Sequence, residues 1–344
     1  MTESPGHDRP RTDPAHVRPL PVADVAEHGR RILDEVATAV VGMRETLTLA
    51  LATVLAGGHV LVEDVPGLAK TLAARSLAKA LGLDFARLQC TPDLLPSDIT
   101  GSTVFDPATR TFEFRPGPVF TGLFLADEIN RTAPKTQSAL LESMAERQVT
   151  VEGRTHRLPR PFHVVATSNP VEYEGTYPLP EAQLDRFMVR LAVGYPDRDE
   201  ERDVLARRIA RRHDEPDVAQ VVDASTVLAM QAGVEAVDVD PDVVGYCVDL
   251  AAATRTHDAL EVGASPRGSQ NLALLARSVA VLDGRDYVLP EDVKRVAVPV
   301  LAHRLTPTPA AWAAEVRPET VVRTLLSTVP GPATVAAATP GHPG

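Results

Sequence analysis

Five short apolar runs constrain the first half of this chain more than any other feature. They are His59–Glu63 (HVLVE), Phe85–Cys90 (FARLQC), Leu123–Ala126 (LFLA), Val164–Thr167 (VVAT) and Met188–Val193 (MVRLAV). Runs this short and this apolar suit strands that are buried on both faces. Amphipathic stretches separate several of them: in Lys70–Leu81, the residues Ala73, Leu77 and Leu81 share one helical face. The pattern predicts an α/β fold, a mostly parallel sheet with helices on both sides. From about Pro196 onward strand signals fade. Helical periods then cover Arg198–Arg212, Thr226–Val234, Pro241–Thr256, Pro266–Leu282 and Pro290–Leu305, which predicts a second, all-helical domain. With roughly 150 residues per domain as a guide, 344 residues suit about two.

Two stretches interrupt the alternation. Gly101–Phe120 carries the turn DPAT between β-prone arms, and Gln148–Leu158 turns at Glu152–Gly153; both predict hairpins. Residues 1–22 are rich in Pro, His and Arg, and residues 329–344 in Pro, Gly and Ala, so both ends are expected to be disordered tails. The sheet domain then spans 23–195 and the helical domain 196–328.

Several function classes recede on composition. No apolar run approaches the ~20 residues needed to cross a bilayer, and the N-terminus lacks the apolar segment of a signal peptide. The expectation is a cytoplasmic chain without stable membrane insertion. Cys90 and Cys247 stand far apart, with no Cys or His at metal-like spacing, which argues against a disulfide framework or zinc site. The net charge of −11 argues against nucleic acid, because phosphate neutralisation needs a basic excess. The main basic cluster, Arg207, Arg208, Arg211 and Arg212, closely follows Asp197, Asp199, Glu200, Glu201 and Asp203 and predicts a solvated helix face.

The first apolar run continues as a loop, Asp64, Val65, Pro66, Gly67, Leu68 and Ala69, into Lys70, Thr71 and Leu72 at a helix start. A helix N-terminus presents free N–H groups and a positive dipole end, so it attracts phosphate. Lys70 would reach the β- and γ-phosphates and the Thr71 hydroxyl would ligate Mg²⁺. Gly67 lets the backbone pass close to phosphate, and Pro66 stiffens the approach. The match to G-x-x-x-x-G-K-[ST] is imperfect, since Asp64 and Ala69 take the two glycine positions. An inward Asp64 carboxylate would repel phosphate, so it must point away. Alone, the loop could also be a plain strand–turn–helix with a surface lysine.

The third apolar run ends in Asp127–Glu128, nearly sixty residues after Lys70. A buried strand places such acids at the carboxyl edge of the sheet, where ligands of doubly wound folds sit. Asp127 would hold Mg²⁺, and Glu128 would orient and polarise the water that attacks the γ-phosphate. The pair alone could be an acidic surface turn. Another run ends in Thr167–Ser168–Asn169–Pro170, and Asn169 can hydrogen-bond the lytic water, although Asn-Pro also initiates turns. Together these features predict ATP and Mg²⁺ as cofactors.

The longer words resemble the MoxR family of AAA+ ATPases, a helix-2-insert clade. They are EDVPGLAKT (63–71), TPDLLPSDITG (91–101), the stretch from FRPGPVF to TVEG (114–153), FHVVATSNPVEYEGTYPLPEAQLDRF (162–187), GASPRGSQNL (263–272) and YVLPEDV to LAHRL (287–305), in family order over roughly 23–325. The resemblance implies an AAA+ αβα domain followed by a small helical lid, assembled as a ring homo-oligomer, a hexamer. It implies that the two hairpins face the pore or upper rim. Asn169 matches sensor 1, Arg186 in LDRF matches the arginine finger donated to a neighbour's ATP, and Arg267 in ASPRG matches sensor 2. A guanidinium at the γ-phosphate neutralises charge on its equatorial oxygens. Ser265 can cap a helix that opens at Pro266, which would hold Arg267 in its first turn. Arg186 could instead pair with Asp185 or Glu181, with Arg190 as the substitute finger. Gly268–Ser269 places weak helix formers near that helix start.

MoxR relatives act with partners that carry von Willebrand factor A (VWA) domains, so the resemblance implies an ATP-hydrolysing, chaperone-like motor that remodels or matures a protein partner. Two other classes stay open. A nucleic-acid-directed motor shares the hairpin inserts, but Arg110 is the only basic residue within Thr103–Phe114. A nucleotide-gated binding module with little hydrolysis rests on Asp64 alone. A magnesium-chelatase-like ATPase subunit is a near relative, separable by its partner.

Overall fold

Each of the five apolar runs forms a strand. In a computed structural model, which describes residues 17–65, 67–170 and 175–332, helices α1 (Val22–Ala39) and α2 (Arg44–Leu55) lead into β1 (Val60–Glu63). Helix α3 (Lys70–Ala80) then precedes β2 (Phe85–Gln89), and a short α4 (Pro96–Thr100) opens the hairpin of β3 (Gly101–Asp106) and β4 (Thr111–Pro116). Strand β5 (Leu123–Asp127), helix α5 (Pro134–Glu146), the hairpin of β6 (Gln148–Val151) and β7 (Arg154–Arg157), β8 (His163–Ser168), α6 (Glu181–Leu184) and β9 (Val189–Leu191) complete this half.

The sheet order is β2-β5-β8-β1-β9, and every neighbouring pair is parallel. Strand side chains alternate between faces, and both faces here are apolar. Val60, Val62, Leu123, Leu125 and Val165 enter one core with α1, α2, α3 and the helical half. Leu61, Phe124, Ala126, Val164 and Ala166 enter a second core with Leu140, Leu141 and Met144 of α5. After β1 the chain crosses to the far edge, returns through β5 and β8, and lands on the other side of β1 with β9. The order therefore reverses beside β1, and a crevice opens at the carboxyl ends of β1, β5 and β8.

Both hairpins are antiparallel, with Gly101 opposite Pro116 and Gln148 opposite Arg157. Gly101 sits at φ +89, and a Cβ there would collide with the Arg115 carbonyl, so the entry to the first hairpin requires glycine. Phe114 stacks on His156 at 3.8 Å between ring centroids and ties the two hairpins together.

The second half holds α7 (Arg198–Arg211), α8 (Ala224–Glu235), α9 (Pro241–Arg255), β10 (Leu260–Val262), α10 (Pro266–Leu282), α11 (Pro290–Leu301), β11 (Thr306–Pro307), α12 (Pro309–Ala313) and α13 (Pro318–Thr328). Capping fixes several starts. The Asp197 carboxylate accepts the N–H groups of Asp199 and Glu200 while Glu200 returns to the Asp197 N–H, and Asp223, Asp240 and Ser265 cap α8, α9 and α10. No residue of α7 is buried, as its mixed charge predicts.

Three expectations shift in detail. The lid is helical apart from a ribbon in which β10 pairs antiparallel with β11, a strand signal too short to stand out among helical periods. The helix expected over Pro290–Leu305 ends at Leu301 and tightens into a 3₁₀ turn, because the buried Arg304 guanidinium is drawn onto the Asp185 carboxylate (2.8 Å) and the Phe187 carbonyl (2.7 Å). Residues 17–21, counted with the tail on composition, form neither helix nor strand but are tied to the helical half, where the Leu20 N–H donates to the Ala229 carbonyl (3.1 Å). Val22, also counted with the tail, opens α1, while residues 1–16 and 333–344 lie outside the described residues. No described helix is long and apolar enough to cross a membrane. Cys90 and Cys247 are buried free thiols, and burial pushes both up to about 12.

Candidate active site

The loop after β1 is pinned at its start, where the Asp64 N–H donates to the Ser168 carbonyl of β8 (3.1 Å). Asp64 then turns its carboxylate away from the crevice. Its Oδ2 accepts the N–H groups of Val193 and Gly194 (2.6 Å each), and its Oδ1 accepts the Val65 N–H (2.8 Å). Three backbone donors stabilise the charge on the far side of the loop. Asp64, expected among the nucleotide-contacting residues, thus gives no side chain to the crevice; it ties the loop to the chain that leaves β9. Pro66 lies outside the described residues.

Gly67 has φ +88 and open space where a Cβ would be, so the requirement there is conformational. Ala69 adopts the same left-handed region (φ 54, ψ 20) directly before α3, at a cost of about 1 kcal/mol that glycine would not bear. This turn aims the first N–H groups of α3 into the crevice. The Lys70 ammonium donates to the carbonyls of Asp64 (2.7 Å) and Val65 (3.2 Å). Burial lowers the Lys70 pKa, and the charges of Asp64, Asp127 and Glu128 oppose that shift.

At the end of β5, Asp127 is nearly buried, and its Oδ1 accepts the Thr167 hydroxyl (2.6 Å). The same Thr167 oxygen accepts the Glu128 N–H (2.8 Å), so one β8 hydroxyl positions both acids. Glu128 has left-handed backbone (φ 58, ψ 52), which turns it out of the strand line. The Glu128 carboxylate accepts Gln89 Nε2 (2.8 Å) and Arg131 Nη1 (3.0 Å). Asp127 Oδ2 accepts the Thr71 hydroxyl (3.3 Å) and the Arg87 guanidinium through Nη2 (2.7 Å) and Nε (3.0 Å).

These groups enclose a cavity of about 490 Å³, lined by Gly67 through Leu72 on one side and by Arg87, Gln89, Asp127, Glu128 and Thr167 through Asn169 on the other. Its volume and its paired phosphate-seeking and acidic walls suit a nucleoside triphosphate. Among the described residues no cluster of three His, Cys, Asp or Glu could cage a metal. A hydroxyl and a carboxylate at 3.3 Å are instead the sparse hard-oxygen set that Mg²⁺ uses when phosphate and water complete its shell.

Residues 59–189 match the ATPase family associated with various cellular activities (AAA), and residues 252–325 match the AAA lid domain. The chain is 42% identical to Chaperone MoxR1 of Mycobacterium tuberculosis, over 98% of this chain and 90% of that protein. The chain belongs to the MoxR family of AAA+ ATPases. Its likeness to Protein MoxR of Paracoccus denitrificans is 36% identity over 86% of this chain and 93% of the relative, and to Bacillus subtilis YeaC 47% over 89% and 93%. The crystal structure of a Cytophaga hutchinsonii protein assigned as an ATPase superposes with a TM-score of 0.85 at 40% identity, covering 91% of this chain and 97% of that one.

Within this MoxR chain, the crevice gathers Lys70, Thr71, Asp127, Glu128 and Asn169, with Leu68, Ala69 and Leu72 on its wall. Val65 stands outside the lining and offers its carbonyl to Lys70. Arg186 and Arg267 do not line it either. Arg186 is half-buried and donates to the Leu141 carbonyl (2.8 Å). Its alternative partners are engaged elsewhere, Asp185 by Arg304 (2.8 Å) and Ser265 (3.2 Å), and Glu181 by Thr306 (2.5 Å). Arg190 bridges Glu63 (2.9 Å) and Glu319 (2.5 Å), binding β9 to β1 and α13. Arg267 is exposed in the first turn of α10, where its N–H donates to the Ser265 hydroxyl (3.2 Å). Gly268, suspected of loosening this turn, is buried, and a Cβ there would come within 3.0 Å of the Ala264 Cβ; close packing explains the glycine.

Arg87, Gln89, Thr167 and Ser168 are the cavity residues to which the sequence assigned no role. A signal existed for two of them. In FARLQ, Arg87 and Gln89 alternate with apolar residues, so they share a face, and Gln89 lies in register with Asp127.

Proposed function

We propose that this MoxR chain binds ATP with Mg²⁺ in the crevice, hydrolyses it, and does so as one subunit of a ring that remodels a protein partner. The observation that carries this reading is a single cavity lined by Lys70 and Thr71 from one strand tip and by Asp127 and Glu128 from another. Lys70 leaves the Asp64 and Val65 carbonyls for the β- and γ-phosphate oxygens, while the first N–H groups of α3 hold the phosphates. Thr71 and Asp127 would hold Mg²⁺, which when bound neutralises charge on the phosphate oxygens. Glu128 accepts a hydrogen bond from the attacking water and draws its proton, and Asn169 fixes that water from β8. Arg186 acts on the neighbour's γ-phosphate, and Arg267 closes from the lid.

Assembly is supported by Arg186 standing off its own cavity, and by the exposed apolar Leu205 and Ile209 of α7. A division at 195/196 and a cytoplasmic location, read from the sequence pattern, complete the proposal together with a hexameric ring and a VWA-domain partner with its client, which the resemblance implies. The nucleic-acid alternative finds no support in a net charge of −11. The weakly hydrolysing module rested on Asp64, whose carboxylate is occupied by Val193 and Gly194. Phosphate release from ATP by the purified chain tests the proposal. Turnover should require Mg²⁺, stop in EDTA and rise with protein concentration as rings form. Tight nucleotide binding with no phosphate release at any protein concentration would favour the binding module.

A further inference from the structure

We propose that Arg87 is a built-in rival of Mg²⁺ for Asp127, so that this arginine sets how much metal the site needs before it grips nucleotide. The inference rests on the reading of Asp127 as the metal's carboxylate. Arg87 belongs to β2, the edge strand of the sheet, where a plain surface arginine would be the ordinary expectation. Its guanidinium instead reaches to the end of the neighbouring strand β5, onto a carboxylate whose side chain is only 12% exposed. Both bonds go to one atom, since Nη2 (2.7 Å) and Nε (3.0 Å) donate to Asp127 Oδ2. That is the oxygen facing Thr71, the other proposed holder of the metal (3.3 Å). Oδ1 is taken by the Thr167 hydroxyl (2.6 Å), so the oxygen that Mg²⁺ would use, directly or through water, is the one Arg87 holds.

A dication brought to that oxygen would meet the guanidinium already there, and like charges this close in a partly buried site repel. A bound Mg²⁺ would therefore displace Arg87. The Arg87 side chain is 43% exposed and lines the cavity, so it is not locked in place by packing. Its departure is felt further along, since Arg87 also donates to Gln89 Oε1 (2.9 Å) and Gln89 Nε2 donates to Glu128 (2.8 Å). Metal occupancy at Asp127 is thereby linked to the placement of Glu128.

Binding of a fluorescent ADP analogue, which involves no turnover, measures this competition. In wild type, affinity is measured against Mg²⁺ concentration and in EDTA. In Arg87→Met, which keeps the aliphatic stem, the Mg²⁺ concentration for half the effect should fall about fivefold or more. Affinity in EDTA should also fall, because an uncompensated Asp127 repels the diphosphate, so the ratio of the two affinities widens. An unchanged or raised Mg²⁺ requirement in Arg87→Met overturns the proposal. Should that variant not fold, Arg87→Lys replaces the two-pronged grip with a single ammonium. It should shift the requirement in the same direction by less, and no shift overturns the proposal. If wild-type affinity itself ignores Mg²⁺, the underlying reading of Thr71 and Asp127 fails instead.

Discussion

Glu128→Gln is expected to keep nucleotide affinity near that of wild type and to lower ATP turnover by about 10²–10⁴-fold, the usual range for losing a general base. The amide is nearly isosteric, so the left-handed turn at Glu128 and its N–H bond to Thr167 (2.8 Å) can persist. Asp127 keeps the Thr167 hydroxyl (2.6 Å), and the phosphate loop lies on the other wall of the cavity. On the proposed mechanism, what is lost is the carboxylate that would draw a proton from the attacking water. Quenched-flow phosphate release, paired with equilibrium binding of a slowly hydrolysed ATP analogue, separates the two effects. Equal losses of binding and turnover would reassign Glu128 to nucleotide affinity. The trapped variant in ATP is also the best bait for the protein partner that the proposed function calls for.

Arg186→Ala should lower turnover by roughly 10³-fold, as removal of an arginine finger does, while each subunit still binds ATP. Arg186 does not line its own cavity, and its bond to the Leu141 carbonyl (2.8 Å) leaves part of the side chain exposed. Mixing provides the sharper readout. Arg186→Ala supplies an intact Glu128, and Glu128→Gln supplies an intact Arg186, so mixed rings should regain turnover at interfaces where the two intact residues meet. A silent mixture would show that the arginine works within its own chain, and full activity in isolated Arg186→Ala subunits would show that turnover does not need it.

The architecture was legible because burial on both faces leaves a strong trace: VLV, LFLA and VVAT have few other ways to fold. Helix starts were legible for a related reason, since Asp197, Asp223, Asp240 and Ser265 cap the orphan N–H groups they precede. The ribbon of β10 and β11 left no such trace, because Leu260–Val262 and Thr306–Pro307 are too short to carry a period. Within the site, the residues at strand tips and at the first turn of α3 could be read directly as neighbours of one crevice, as with Lys70, Thr71, Asp127, Glu128 and Asn169. Partnerships across strands could not. Nothing local says that Arg87 reaches Asp127 or that Thr167 holds two acids, because register and strand order decide both. Asp64 lies between these cases. Its charge demanded an outward turn, but the Val193 and Gly194 amides that reward that turn lie about 130 residues away.

The central claim is that two strand tips hold one metal-bound nucleotide, and a double-mutant cycle tests it most directly. Mg²⁺–ADP affinity is measured for wild type, Thr71→Ala, Asp127→Asn and the pair, with and without EDTA. If both side chains hold one Mg²⁺, the second substitution costs little after the first, giving a coupling of about 0.5–3 kcal/mol that collapses in EDTA. Additive losses in Mg²⁺, or a coupling that survives EDTA undiminished, would contradict the shared site.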